Sequence, residues 1–135
     1  MPKYKAKANN SPFILTPKEN EDILILANAR EVIISIGFGR VSVMTPERHD
    51  KLIAFTSQLA HIVSNAYVKS PSSSQRKGIS AGSYKDLTRV AYLNENMWTE
   101  LFLENKDNLI FELDYLIEEL KKYSDAMKND DAIFL

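Results

Sequence analysis

The stretch Ala81-Gly82-Ser83-Tyr84-Lys85-Asp86-Leu87-Thr88-Arg89-Val90-Ala91, with Trp98 nine residues past the arginine, mixes small, acidic, basic and aromatic side chains more densely than plain helix packing requires. Read as a helix opening at Ser83, with Asp86 three residues on as its capping partner, it sets Asp86 and Arg89 three apart on one face. Gly82, just ahead, lets a ligand or another chain come close to the backbone. An arginine in such a setting can hold a carboxylate through its planar two-donor fork. The plainer reading is an exposed Asp86–Arg89 ion pair within one helix, worth about 0.3 to 0.5 kcal/mol.

Helical signals continue on both sides of this stretch. Downstream, Asn94 reads as the cap of a helix over 95–104, and a last helix runs from about Asp107 to Asn129. Leu109, Leu113, Leu116, Leu120, Tyr123 and Met127 recur there at alternating spacings of four and three, a coiled-coil-like seam, with Glu118 and Lys122 as an i,i+4 pair. Left in water, each large side chain on such a seam would cost roughly 1.5 to 3 kcal/mol, so a neighbouring helix or a second subunit must cover it. Upstream, Lys69 to Gly78 reads as a loop, with Pro71 and three consecutive serines. Before that, Thr45 and Pro46 open a helix carrying Leu52, Ile53, Phe55, Leu59, Ile62, Val63, Ala66 and Tyr67. Apolar on most sides, that helix belongs at the centre of a bundle or at a subunit interface.

Ahead of Thr45 the periodicity changes. Pro12 to Thr16 reads as a short buried strand and Arg40 to Met44 as a second strand. Between them, Thr16-Pro17-Lys18-Glu19 suggests a capped helix start, Ile23, Leu26, Ala27, Val32 and Ile33 its apolar side, and Gly37 its stop. The fold class expected is therefore mainly α: a helical bundle preceded by a strand-helix-strand remnant of a doubly wound α/β domain. The expected organisation is a flexible tail over 1–11, the remnant over 12–44 and a helical domain over 45–135. Two parallel strands under one helix leave a sheet face and an edge unpaired, so the remnant should want a partner surface.

At these residues the chain resembles a known family. Gly82 to Ala91 is similar to the Gly-x-x-[Arg/Lys]-Asp-x-Thr-Arg-[Ile/Val]-Ala signature in the helical domain of prephenate dehydrogenases, where a Met-Trp helix follows, here Met97-Trp98. His49-Asp50 and Thr56-Ser57-Gln58-Leu59-Ala60-His61 resemble that family's Glu-x-His-Asp and Ser-x-Leu-Pro-His motifs, with Ala60 in place of the frequent proline. The likeness runs from about Pro12 to about Leu135 but covers only the back half of the family's protein. The resemblance implies oxidative decarboxylation of prephenate to 4-hydroxyphenylpyruvate, in tyrosine biosynthesis, with NAD or NADP taking the hydride. It also implies that the helical domain over 45–135 is a substrate-binding and dimerisation domain, the chain pairing as a homodimer through it. The family's glycine-rich nucleotide turn and its His-Pro-Met-x-Gly segment do not occur here: the four glycines, at 37, 39, 78 and 82, form no Gly-x-Gly-x-x-Gly. The expectation is a C-terminal piece that neither binds the cofactor nor catalyses alone. Alternatives are a stand-alone helical dimerisation or binding module without catalysis, and a piece of an arogenate dehydrogenase.

On the resemblance, the substrate-binding candidates are Arg89, His61, Asp86, Gly82, Trp98 and Ser57, with a prephenate-like dicarboxylate as ligand and no catalytic, cofactor or metal residue in the chain. Arg89 would grip a carboxylate, His61 would line the pocket and Asp86 would orient Arg89; Ser57 and Gln58 would add polar contacts. The bland counterparts are a packed core histidine at 61 and a packing anchor at Trp98. His49 reads as a structural residue at the domain junction.

Composition sets outer limits. An apolar fraction of 44% and a charged fraction of 26% in 135 residues describe an ordinary globular chain. No apolar run reaches the roughly 18 residues of a membrane span, and the basic N-terminus lacks a signal-peptide core, so a cytoplasmic location is expected, away from membranes. The absence of cysteine excludes disulfides and thiolate metal sites. Two histidines twelve residues apart match no metal-ligand spacing. Net charge is −1, but residues 1–94 hold 13 basic and 7 acidic side chains and residues 95–135 hold 4 and 11. The positive front suits an anion; its scattered cations lack the footprint of a nucleic-acid binder, so none is expected as partner.

Overall fold

A computed structural model of the chain describes residues 11–18, 22–75, 78–79 and 81–135. They divide into two compact units, Met1–His49 and Asp50–Leu135. The fold is mainly helical, with one strand-helix-strand element preceding a helical bundle in sequence. The expected flexible tail lies outside the described residues except for Ser11.

In the first unit, β1 (Pro12–Leu15) and β2 (Arg40–Val43) pair in parallel with Phe13 opposite Val41, and α1 (Ile23–Ser35) connects them. Gly37 turns the chain out of α1 at φ 106°, a conformation that glycine adopts without strain. Phe13 and Phe38 meet edge to face at 4.9 Å. Three expectations are corrected here. The helix starts at Ile23, capped by the Asp22 carboxylate on the Leu24 amide at 2.8 Å, and not at Thr16-Pro17; Glu19, the expected capping partner, lies outside the described residues. Its covered side is Leu26, Ala29 and Ile33, whereas Ile23, Ala27 and Val32 are exposed. Nor is β1 fully buried, since its residues alternate between exposed and half-buried.

The helix begun at Thr45 forms as the sequence indicates. The Thr45 hydroxyl accepts from the Arg48 amide at 3.3 Å, and α2 spans Pro46–Ile53. It does not continue as a plain α-helix: Ala54–Leu59 forms a π turn before α3 (Ala60–Val68) resumes. A π turn takes up more residues than an α turn and re-aims every side chain after it. A short 3₁₀ turn, Pro71–Gln75, occupies part of the expected loop, and α4 (Gly82–Thr88), α5 (Glu95–Glu104) and α6 (Lys106–Lys128) complete the second unit. Its core is Ala54, Leu59 and Leu109, surrounded by Ile62, Val63, Phe102, Leu113 and Leu116.

The central helix is not simply apolar where it is covered. Its buried residues include Gln58 and Ser64, at 4% and 1% exposure, while Leu52, Phe55 and Tyr67 face outward. On α6 the seam divides: Leu109, Leu113 and Leu116 join the core, whereas Leu120, Tyr123 and Met127 are exposed. Lys122 pairs with Glu119 at 2.6 Å, one residue off the expected Glu118 partner.

Candidate functional site

Asn94 caps α5 by accepting from the Met97 amide at 3.1 Å, and this start fixes Trp98 in the first turns of the helix. Trp98 turns back over α3, where its ring centroid lies 3.8 Å from that of His61 and 5.3 Å from that of Phe102. His61 Nδ1 sits 3.1 Å from the Val90 carbonyl oxygen. A carbonyl only accepts, so this nitrogen carries the proton and Nε2 is the free face of the ring.

Two further side chains of α3 reach the same segment. The Ser64 hydroxyl donates to the Leu87 carbonyl at 2.7 Å, and the Asn65 amide donates to the Ala91 carbonyl at 3.2 Å. Residues 61, 64 and 65 follow i, i+3, i+4 spacing, so they share one helical face. One turn earlier, Gln58 donates to the Leu101 carbonyl at 3.0 Å and accepts from Asn105 at 2.8 Å; Asn105 also donates to the Asp50 carbonyl. The sequence reading singled out His61 but gave Ser64, Asn65 and Asn105 no role. For Ser64 and Asn65 the available signal was their polar spacing of i+3 and i+4 from His61 inside an apolar helix; Asn105, at the start of α6, carried no such signal.

Arg89 does not lie within a helix. α4 ends at Thr88 and starts at Gly82, with Ala81 at its cap, so Ser83 is inside the helix and makes no capping bond. Arg89 is the residue at the C-terminal cap and is exposed, as is Asp86, and no ion pair joins the two. A Cβ added to Gly82 would meet nothing within 4 Å, so nothing in this chain crowds that backbone. Ser57 is half-buried within the π turn. The structure thus brings His61 and Trp98 together against the backbone of the 87–91 segment; Arg89 extends from that segment, and Asp86 and Gly82 lie earlier on α4. A cavity of about 420 Å³ opens beside Trp98, lined among others by Asn65, Lys69, Tyr92, Glu95 and Phe102, without Arg89 or His61 on its wall.

Among the described residues no group of three or more His, Asp or Glu side chains gathers as a metal would need, and no helix is long and apolar enough to cross a membrane.

Residues 45–134 match the family described as "Prephenate dehydrogenase, dimerization domain". A cyclohexadienyl dehydrogenase from Zymomonas mobilis is 34% identical over 130 residues, covering 92% of this chain and 44% of that protein. A prephenate dehydrogenase from Bacillus subtilis is 29% identical over 128 residues, covering 91% and 34%. In structure, the Synechocystis arogenate dehydrogenase superposes with a TM-score of 0.77 at 26% identity over 93% of this chain and 48% of that one. The prephenate dehydrogenase of A. aeolicus, in complex with hydroxyphenyl propionate and NAD+, gives 0.68 at 28% identity over 87% and 43%. The chain belongs to the prephenate dehydrogenase family, through its helical dimerisation domain. It spans less than half the length of these relatives.

The NAD+ of the A. aeolicus structure raises the question of fit. A dinucleotide pyrophosphate needs glycine-rich backbone at the start of the helix after a strand, with free N–H groups facing it. Here no glycine occurs between Pro12 and Ile36, and the Asp22 carboxylate already occupies the N-terminus of α1. A second anion at that place would meet a negative charge, so the N-terminus of α1 does not fit the cofactor's pyrophosphate.

Proposed function

We propose that this chain supplies the substrate-holding and dimerising half of a prephenate or arogenate dehydrogenase, with residues 12–44 as the end of the nucleotide-binding domain and 45–135 as the helical domain. The observation that carries the reading is the juxtaposition of His61 with Trp98 and with the turn that bears Arg89, both distant from His61 in sequence. An exposed arginine carried on the turn that His61 holds, with the indole of Trp98 stacked on that imidazole, is chemistry suited to an anionic ring compound: the fork can pair a carboxylate and the aromatic surface can take the ring. Hydride transfer needs a nicotinamide that the strand-to-helix junction does not cradle. The chain's contribution is therefore positioning, and it is expected to be inactive without a cofactor-binding half.

Titration calorimetry with prephenate, and separately with arogenate, tests this. Binding in the micromolar to millimolar range, lost in Arg89→Ala and weakened at least tenfold in Arg89→Lys, is the expected result. Absence of binding by a folded wild-type dimer would favour the second reading, a dimerisation module without substrate recognition.

A further inference from the structure

We propose that Ser64, Asn65 and His61 are positioning residues, a three-point clamp from one face of α3 that fixes the turn carrying Arg89. The substrate side of this inference rests on the function proposed above; the clamp itself rests on geometry.

α4 is a seven-residue helix, and its exit is weakly held by its own backbone. The Arg89 amide reaches the Asp86 carbonyl only at 3.5 Å, and the Ala91 amide reaches Thr88 at 3.1 Å. A helix end leaves its last carbonyls without intrahelical partners. At this end the carbonyls of Leu87, Val90 and Ala91 are each taken by a side chain of α3: Ser64 at 2.7 Å, His61 at 3.1 Å and Asn65 at 3.2 Å. These three carbonyls bracket Arg89 on both sides. One carbonyl before it and two after it are thereby tied to a single helix, while its side chain is left exposed.

Ser64 is the most telling member. A helical serine readily bonds the carbonyl four residues back in its own helix, yet this one, at 1% exposure, donates across to Leu87. His61 adds a second tie, because the ring that bonds Val90 also stacks on Trp98 and so sets the turn relative to α5. The π turn at Ala54–Leu59 immediately precedes this face and sets the helical phase in which residues 61, 64 and 65 all point at the same segment. A long flexible arginine on a loose turn would lose much of its binding to ordering; fixing its backbone in advance removes part of that loss.

Limited trypsin digestion of the full chain reads the clamp directly, since the enzyme cuts after Arg89 only when this turn opens. Lys121 and Lys122, exposed on α6, give an internal reference for general unfolding. Asn65→Asp, which cannot donate, and His61→Phe, which keeps a ring but loses the N–H, are expected to raise cleavage at Arg89–Val90 at least tenfold with the α6 sites unchanged. His61→Asn, whose amide replaces the Nδ1 donor, should cut near the wild-type rate. Equal cleavage at Arg89 in all four proteins, or a parallel rise at every site, overturns the clamp. Calorimetry with prephenate adds the second arm. If wild type binds, Asn65→Asp should weaken binding at least fivefold and His61→Asn less than His61→Phe; unchanged affinity with a loosened turn overturns the positioning role. If wild type does not bind while the digestion result holds, the substrate reading fails and the clamp stands as a structural device.

Discussion

The imidazole of His61 and the indole of Trp98 lie 3.8 Å apart between ring centroids, tilted by 39°, joining α3 to α5 across 37 residues of sequence. Aromatic pairs add about 0.5 to 1.5 kcal/mol to the burial of the rings themselves. Trp98 is half-buried and also touches Phe102, so Trp98→Ala removes two ring contacts at once. A loss of about 2 to 3 kcal/mol is expected, below the range for a fully buried tryptophan, and Trp98→Phe should cost less than about 1.5 kcal/mol. Urea unfolding followed by circular dichroism measures both, without relying on the tryptophan signal that the variants remove.

Gln58 is the buried amide that ties the π turn to the α5–α6 junction through Leu101 and Asn105. Gln58→Leu fills similar space but strands a carbonyl and an amide donor, each costing about 1 to 3 kcal/mol when left unpaired. Asn105 retains its bond to the Asp50 carbonyl, which lowers the total. The expected effect is a fall in Tm of roughly 10 °C for a unit of this size, seen by scanning calorimetry. A change under 3 °C would mean that water replaces both partners and that the network does not hold the turn.

Asn94 offers a cleaner local test, because its side chain makes one capping bond, to Met97, at an exposed position. Asn94→Ala should cost about 1 kcal/mol and Asn94→Gly only a few tenths. Equal losses in the two variants, measured by the same urea titration, would show that the helix start is set by packing of Trp98 and not by the cap.

These three residues also show what a sequence can and cannot reveal. Asn94 and Thr45 were legible because a cap is a local motif: the side chain bonds an amide three residues on, wherever the rest of the chain goes. Ser83 obeyed the same pattern and misled, since the cap of α4 is Ala81, two residues earlier, which leaves Ser83 inside the helix. Asp22 displaced Thr16 for a similar reason: two acceptable caps stood six residues apart, and only the length of the connection from β1 chooses between them. The π turn has no local signature at all. It arises where tertiary contacts favour an altered helical phase, here one that buries Gln58 and Ser64 and turns Phe55 outward. Of the candidate site, His61 and Trp98 were found through motif likeness and meet in space; the carbonyl partners that anchor them were invisible, because backbone acceptors carry no residue type.

Phe55 and Phe111 supply the last test, of the proposed homodimer. They are 60% and 69% exposed and line one groove of about 570 Å³ with Leu52, rimmed by Lys51, Asp107 and Glu112. Apolar rings beside charges of both signs can face their own copy about a two-fold axis, with lysine meeting the partner's carboxylates. Covering one phenylalanine stabilises an assembly by roughly 1.5 to 3 kcal/mol, and each 1.4 kcal/mol is about tenfold in Kd. Phe111→Asp should therefore weaken dimerisation at least tenfold in sedimentation equilibrium while leaving the unfolding midpoint at high dilution unchanged, since the ring contributes little to the monomer core. Glu118→Lys, on an exposed part of α6 away from the groove lining, serves as the charge control and should leave the dimer intact. If Phe111→Asp remains as tightly dimeric as wild type, this groove is not where the copies meet, and the exposed Leu120, Tyr123 and Met127 at the far end of α6 become the face to alter next.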